Sequence, residues 1–219
     1  MNKQDIFEHY ESKKGEIESK LNSFEDLRYS SEERKFKELV FVILSSQTRA
    51  EKAWEACNIL EKQDLLLNGS EEDLEQVLLE EDVSYPENKS KYIVSNREML
   101  SQPTLQDPER GLKISQKIDE ENLEDSRAWF AKNVKGISWK GASHFLRNIG
   151  YGNSFGIISS HIAVQMNEIG LIKSPEPPKT KEEYLKQEEV LQEFAENIGI
   201  DVKALDLVLW SAKTGEIFK

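Results

Sequence analysis

The sequence predicts an all-α fold. No Val/Ile/Thr-rich alternating runs recur that would make strands, whereas apolar residues repeat at helical spacing in several places. A chain of 219 residues is also ample for a real core in one or two small helical domains.

Along the chain, Phe36, Leu39, Val40, Ile43 and Leu44 make the first strongly apolar helical pattern. Its longest uninterrupted run, Leu39 to Leu44, is far too short to span a membrane. The acidic runs Glu71 to Glu75 and Asp119 to Asp125 read as solvated helix faces or loops, with partner selection as the alternative. From Val134 to Gly150 a glycine turn leads into an amphipathic helix: Ala142, Phe145, Leu146 and Ile149 form a buried face, and Lys140, His144 and Arg147 share another. Ser174-Pro-Glu-Pro-Pro-Lys179 cannot be helix interior and is read as a connection. Leu185, Val190, Leu191 and Phe194 then mark a further helix, and Leu205, Val208 and Leu209 an apolar face near the carboxyl end.

Charge narrows the function classes. A net charge of −12 argues against a generic nucleic-acid binder. Yet no Asp or Glu occurs from Ser126 to Asn167, although the chain carries 41 acids, and that window holds Arg127, Lys132, Lys135, Lys140 and Arg147. Acids elsewhere are screened beyond roughly 8 to 10 Å in physiological salt, so this window marks a small surface suited to a polyanion. Gly136 permits a close turn whose N–H groups and helix start can hold a phosphate oxygen, with Lys140 as a cation beside it. The plain alternative is a glycine turn and amphipathic helix of the kind common in all-helical proteins. Cys57 is the single cysteine, which excludes an internal disulfide and a four-cysteine cluster. His9, His144 and His161 lack ligand spacing, so no zinc site and no cofactor is expected.

The segment Lys140-Gly-Ala-Ser-His-Phe-Leu-Arg-Asn-Ile-Gly150 resembles the helix-hairpin-helix of the DNA glycosylase superfamily, most closely the archaeal and bacterial 8-oxoguanine DNA glycosylase/lyase family. Two further blocks are similar: Tyr85-Pro86 with Lys89, Tyr92-Ile93-Val94 and Asn96-Arg97, and Leu205-Asp206 through Trp210 and Gly215 to Lys219. Leu39 to Ala53 is a weaker fourth match. The resemblance implies two helical lobes with the helix-hairpin-helix at the mouth of the cleft between them. One would be a barrel of about residues 30–150, the other would combine residues 1–29 and 151–219. Several proteins of this fold carry an iron–sulfur cluster, which a single cysteine cannot supply.

The resemblance also implies a chemistry. A lysine matching Lys140 attacks the sugar carbon bearing the damaged base, expels the base and leaves a Schiff base that permits β-elimination. Only an uncharged amine can do this, so its pKa must fall from about 10.4, by burial or through a neighbouring cation such as Arg147. The base must be flipped from the stack at a cost of a few kcal/mol. Trp210 is the expected stacking wall and the terminal carboxylate of Lys219 the expected reader of the base, while simple core packing is the alternative for Trp210. Asp206 could accept hydrogen bonds from a guanine edge, or serve as a cap or ion-pair partner. Lys135, Gly136, Ser138, Arg147 and Gln47 are the expected DNA contacts, Gln47 at the gap or the opposite strand, unless it is only a polar helix end. The expected partner is double-stranded DNA with oxidised guanine or abasic sites, met by a monomer in the cytosol or on the nucleoid; no membrane partner is expected, and the charged opening Met1-Asn-Lys-Gln-Asp5 is no secretory signal.

One departure matters. The family pattern places an aspartate two residues before a histidine, and this chain reads Ile157-Ile-Ser-Ser-His161, with Ser159 at the aspartate position. A hydroxyl neither deprotonates the lysine nor stabilises the oxocarbenium-like sugar as a carboxylate would, and loss of one general acid/base costs about 10²- to 10⁴-fold. The enzyme could work slowly and mainly on abasic sites, or be a lesion-binding relative without excision, or draw an acid from another segment if the register shifts. Outside this chemistry stand a non-catalytic DNA-binding module, which would tolerate Lys140→Arg, and a protein–protein adaptor using the acidic helices.

Overall fold

In the computed structural model, which describes residues 2–103, 107–152 and 154–218, all regular structure among the described residues is helical. The chain divides into two compact units, one holding everything up to Arg28 together with everything from Leu146, the other Tyr29–Phe145.

The continuous unit is built on α2 (Glu32–Leu44), for α1 (Lys3–Leu27) belongs to the other. Every residue of α2 from Lys35 to Leu44 is buried, so the helix read from Phe36 to Leu44 is the core of this unit. Ser31 starts it, its hydroxyl accepting from the Arg34 N–H, a cap worth about 1 kcal/mol. Against it pack α3 (Ala50–Lys62) and α6 (Pro86–Leu100), with α4 (Leu65–Asn68) and α5 (Glu71–Glu80) packed on α3, and the unit ends with α7 (Leu123–Asn133) and the start of the next helix. The acids Glu71, Glu72 and Asp73 crowd the first turn of α5, where they favour the positive end of the helix dipole, and Ser70 and Asp73 complete a capping box. The first acidic run is thus a helix start. Asp119 to Asp125 begins in a loop and ends in α7, whose first turn holds Glu124 and Asp125.

In α8 (Trp139–Asn148) the division between units falls after Phe145. The discontinuous unit adds α9 (Ser160–Glu168), α10 (Lys181–Ile198) and α11 (Val202–Thr214) to α1. Its centre is α11, buried from Ala204 to Leu209 and packed on α1, α9 and α10. The connection from Ser174 to Lys179 is non-helical, and Thr180 and Glu183 form the capping box that starts α10 after the prolines. Among the described residues no helix is long and apolar enough to cross a membrane.

Candidate active site and nucleic-acid interface

The hairpin is fixed from below by α6. Asn96 is buried, and its side-chain amide donates to the Lys135 carbonyl at 2.9 Å while its oxygen accepts from the Lys135 N–H at 2.9 Å. A side chain thereby replaces a strand partner for the turn. Gly136 follows with φ +86°, and a Cβ there would stand 2.7 Å from Cδ2 of Tyr92 and 3.2 Å from Cγ2 of Ile43. Conformation and close approach both demand glycine. Ser138 immediately precedes α8, its hydroxyl 3.5 Å from the Gly141 N–H. Lys135, Gly136 and Ser138 are exposed, and they present the turn backbone and the start of a ten-residue helix to solvent.

Lys140 is in the first turn of that helix and only partly exposed. Burial lowers the pKa of its amine from the ordinary lysine value, and burial is the cause, with no contribution from Arg147. The other two members of the expected cationic face are not surface groups. His144 is buried, its ring edge-on to Phe41 with centroids 5.9 Å apart. Arg147 is 3% exposed, ion-paired to Asp206 at 3.3 Å and stacked 4.6 Å from the Phe24 ring centroid. Arg147 is thus held in a buried ion pair rather than free for the phosphate contact expected of it, covered by Phe24 of α1 and Asp206 of α11. Arg127 is likewise buried, held by Glu124 at 2.6 Å and by the Ser143 hydroxyl at 3.2 Å, over the Trp139 ring.

Gln47 lies in a built loop within the same unit as Lys140. It is exposed and left-handed, with φ 57°, a conformation uncommon outside glycine that costs on the order of 1 kcal/mol. Its carbonyl accepts from the Ser84 hydroxyl at 2.7 Å, and the Ser84 N–H donates to Thr48 Oγ1 at 3.0 Å. Tyr85, with φ 58°, is exposed next to Ser84 and is followed by Pro86, the first residue of α6. Beneath both loops the buried amine of Lys89 donates to the carbonyls of Leu44 and Ser46, at 2.9 and 2.6 Å, and to Thr48 Oγ1 at 3.1 Å.

The remaining expected site residues sit in the other unit. Ser159 is the N-cap of α9, its hydroxyl accepting from the Ile162 N–H at 3.3 Å. Trp210 is half-buried, unlike the fully buried Leu205, Val208 and Leu209, and meets the exposed His161 ring edge-on at 5.0 Å. Gln165, buried on α9, donates to the Leu209 carbonyl at 2.7 Å and ties the two helices beside Trp210. Asp206 is buried and taken by the ion pair; burial pushes its carboxyl up, with Arg147 opposing that shift. Lys219 lies outside the described residues. Among the described residues no group of three or more His, Cys, Asp or Glu side chains is placed to hold a metal ion.

A model of the family described as 8-oxoguanine DNA glycosylase matches residues 17–200. The chain belongs to that family. An 8-oxoguanine DNA glycosylase/AP lyase of Korarchaeum cryptofilum is 38% identical over 204 residues, covering 93% of this chain and 90% of that protein. One of Fusobacterium nucleatum is 35% identical over 188 residues, covering 83% and 81%. Among solved structures, the 8-oxoguanine DNA glycosylase of Thermotoga maritima superposes with a TM-score of 0.86 at 31% identity, covering 99% of this chain and 98% of that one. The Methanocaldococcus jannaschii 8-oxoguanine glycosylase/lyase in complex with a 15mer DNA containing 8-oxoguanine gives 0.83 at 29%, covering 98% and 99%.

Within this 8-oxoguanine DNA glycosylase family member, Lys89 and Asn96 belong to the similar block of α6, and their tasks beneath the two turns emerge only from the structure. The signal was present in α6, where Lys89, Ile93, Asn96 and Leu100 fall on one buried stripe. A polar residue on such a stripe has to serve polar backbone from inside.

Proposed function

We propose that the protein is a base-excision DNA glycosylase/AP lyase that removes 8-oxoguanine from duplex DNA through a Schiff base on Lys140. The observation that carries this is an amine at the start of the hairpin helix whose pKa is lowered by burial, in a chain of this family. The neutral amine attacks the sugar carbon, the glycosidic bond breaks with its electron pair and a proton going to the base, and opening of the sugar ring at its C1′–O4′ bond leaves an imine that allows β-elimination of the 3′ phosphate. Lys135, Gly136 and Ser138 hold backbone phosphate, Gln47 meets the gap left by the flipped base, and Trp210 stacks on that base. Asp206 supports that pocket through its ion pair with Arg147. In this reading a domain of residues 30–150 carries the nucleophile, a domain of residues 1–29 and 151–219 carries the pocket, and the enzyme acts in the cytoplasm on the nucleoid.

Ser159 favours a slowed excision step, with abasic DNA the faster substrate; by the same residue, a lesion binder without excision is the second reading. Borohydride trapping with 8-oxoguanine and abasic duplexes, on the wild type and on Lys140→Gln, tests both. Adducts on both strands, lost in Lys140→Gln, are expected, and the trapping rate should climb with pH and level off below the ordinary lysine pKa. An adduct on the abasic strand alone reduces the protein to a lyase, and none on either leaves the lesion binder.

A further inference from the structure

A buried lysine that no step of the proposed chemistry uses lies beneath the Gln47 loop. We infer that Lys89 is a positioning residue, whose protonated amine locks the loop from Ser45 to Arg49 in the shape that presents Gln47 to DNA.

The geometry carries this. All three acceptors of the Lys89 amine, the carbonyls of Leu44 and Ser46 and the hydroxyl of Thr48, flank Gln47 within four residues. Two of them are carbonyls at or just past the end of α2, where a cation satisfies acceptors that the helix leaves open. A methionine or leucine would fill the same space and leave them without a donor. An ammonium has three hydrogens for these three oxygens, whereas a neutral amine has two and turns a lone pair on the third. The lock is therefore complete only while Lys89 is charged.

Burial brings the Lys89 pKa down to about 8, and no neighbouring charge shares in the shift. Of the charged groups on the surrounding elements, Lys52 of α3 pairs with Asp82 at 2.5 Å and Lys91 with Glu87 on α6 at 2.7 Å, while Glu51 of α3 and Glu75 and Glu80 of α5 add nothing to the shift of Lys89. Arg49 and Tyr85, the remaining ionisable groups of the two loops, are both exposed. The sign of the linkage separates positioning from mere structure. Because the folded pKa lies below the unfolded value near 10.5, the unfolded chain binds more protons between about pH 8 and 10.5, and this group's contribution to stability rises with pH in that window. A loop released by the same deprotonation would bind DNA less well while the fold becomes no weaker.

The inference rests on the proposed contact of Gln47 with DNA, and the test separates the two. Affinity for a duplex bearing a tetrahydrofuran abasic analogue is measured from pH 6.5 to 9.5 in a Lys140→Gln background, so that Lys140 does not titrate, with and without Gln47→Ala. Thermal unfolding is followed over the same range. The Gln47 protein should lose about tenfold in affinity through pH 8 while its melting temperature does not fall because of Lys89, and the Gln47→Ala protein should show little of that loss. Lys89→Met should give the weakened affinity at every pH, with no further loss when Gln47→Ala is added, and Lys89→Arg should restore part of it. Equal pH profiles with and without Gln47, or additive losses in the double variant, overturn the inference. If Gln47→Ala has no effect at any pH, the Gln47 contact falls and the inference with it, while trapping by Lys140 still decides the proposed function on its own.

Discussion

At position 159 a serine hydroxyl caps α9, and an aspartate could make the same bond to the Ile162 N–H. In the proposed reaction, what the serine withholds is a carboxylate for the lysine and the sugar. Ser159→Asp should therefore keep the melting temperature and raise single-turnover release of 8-oxoguanine by about 10²- to 10⁴-fold, with a smaller gain on abasic DNA, where no glycosidic bond remains to break. Unchanged base release in a variant that melts normally would mean that an acid at this position is not what limits the step. The residues at 140, 144 and 147 mark how far the sequence could be read. Helical spacing shows that they share a face, and it identifies the opposite face as core. It cannot show that Phe24 and Asp206, 123 and 59 positions away from Arg147, cover the outer part of that face. That Lys140 opens the helix was legible from the spacing; the burial of Arg147 was not, because an arginine on a polar stripe looks alike whether it meets phosphate or a buried carboxylate.

Among the elements, the hairpin was legible from one glycine and the helix behind it, and its positive φ agrees with that reading. Its support was not, since Asn96 and Tyr92 act on it from α6 across some forty residues. The same holds for the Gln47 loop, whose turn is enforced by Ser84 and Lys89 rather than by a glycine of its own. Gly136→Ala must place a methyl against the Tyr92 ring in a left-handed conformation, and it should destabilise the protein by about 2 kcal/mol. Because the displaced turn is the proposed phosphate-binding element, affinity for abasic duplex should fall roughly tenfold, while the rate of Schiff-base trapping at saturating DNA changes little. A full loss of trapping at saturation would show that the turn places Lys140 itself as well as the phosphate.

For the whole molecule, the net charge of −12 and the burial of two of the five cations in the acid-free window set the electrostatics of binding. Arg127 and Arg147 are committed to Glu124 and Asp206, and Lys140 acts as a neutral amine, which leaves Lys132 and Lys135 on the hairpin side and Arg49 beside Gln47 as phosphate partners in this reading. Three neutralised phosphates release that many counterions, with a slope of about −0.9 per contact, so affinity for duplex DNA should drop roughly 40-fold between 50 and 200 mM salt. A footprint of six to ten contacts would instead lose about 10³- to 10⁵-fold. The acids elsewhere repel the backbone most at low salt and are screened together with the attraction, which pulls the slope toward the lower figure. A steep slope in a salt titration with undamaged duplex would show that cations outside the hairpin and the Gln47 loop carry the binding. A shallow one would leave most of the specific affinity to the flipped base and its pocket, as suits a repair enzyme that must leave intact DNA quickly.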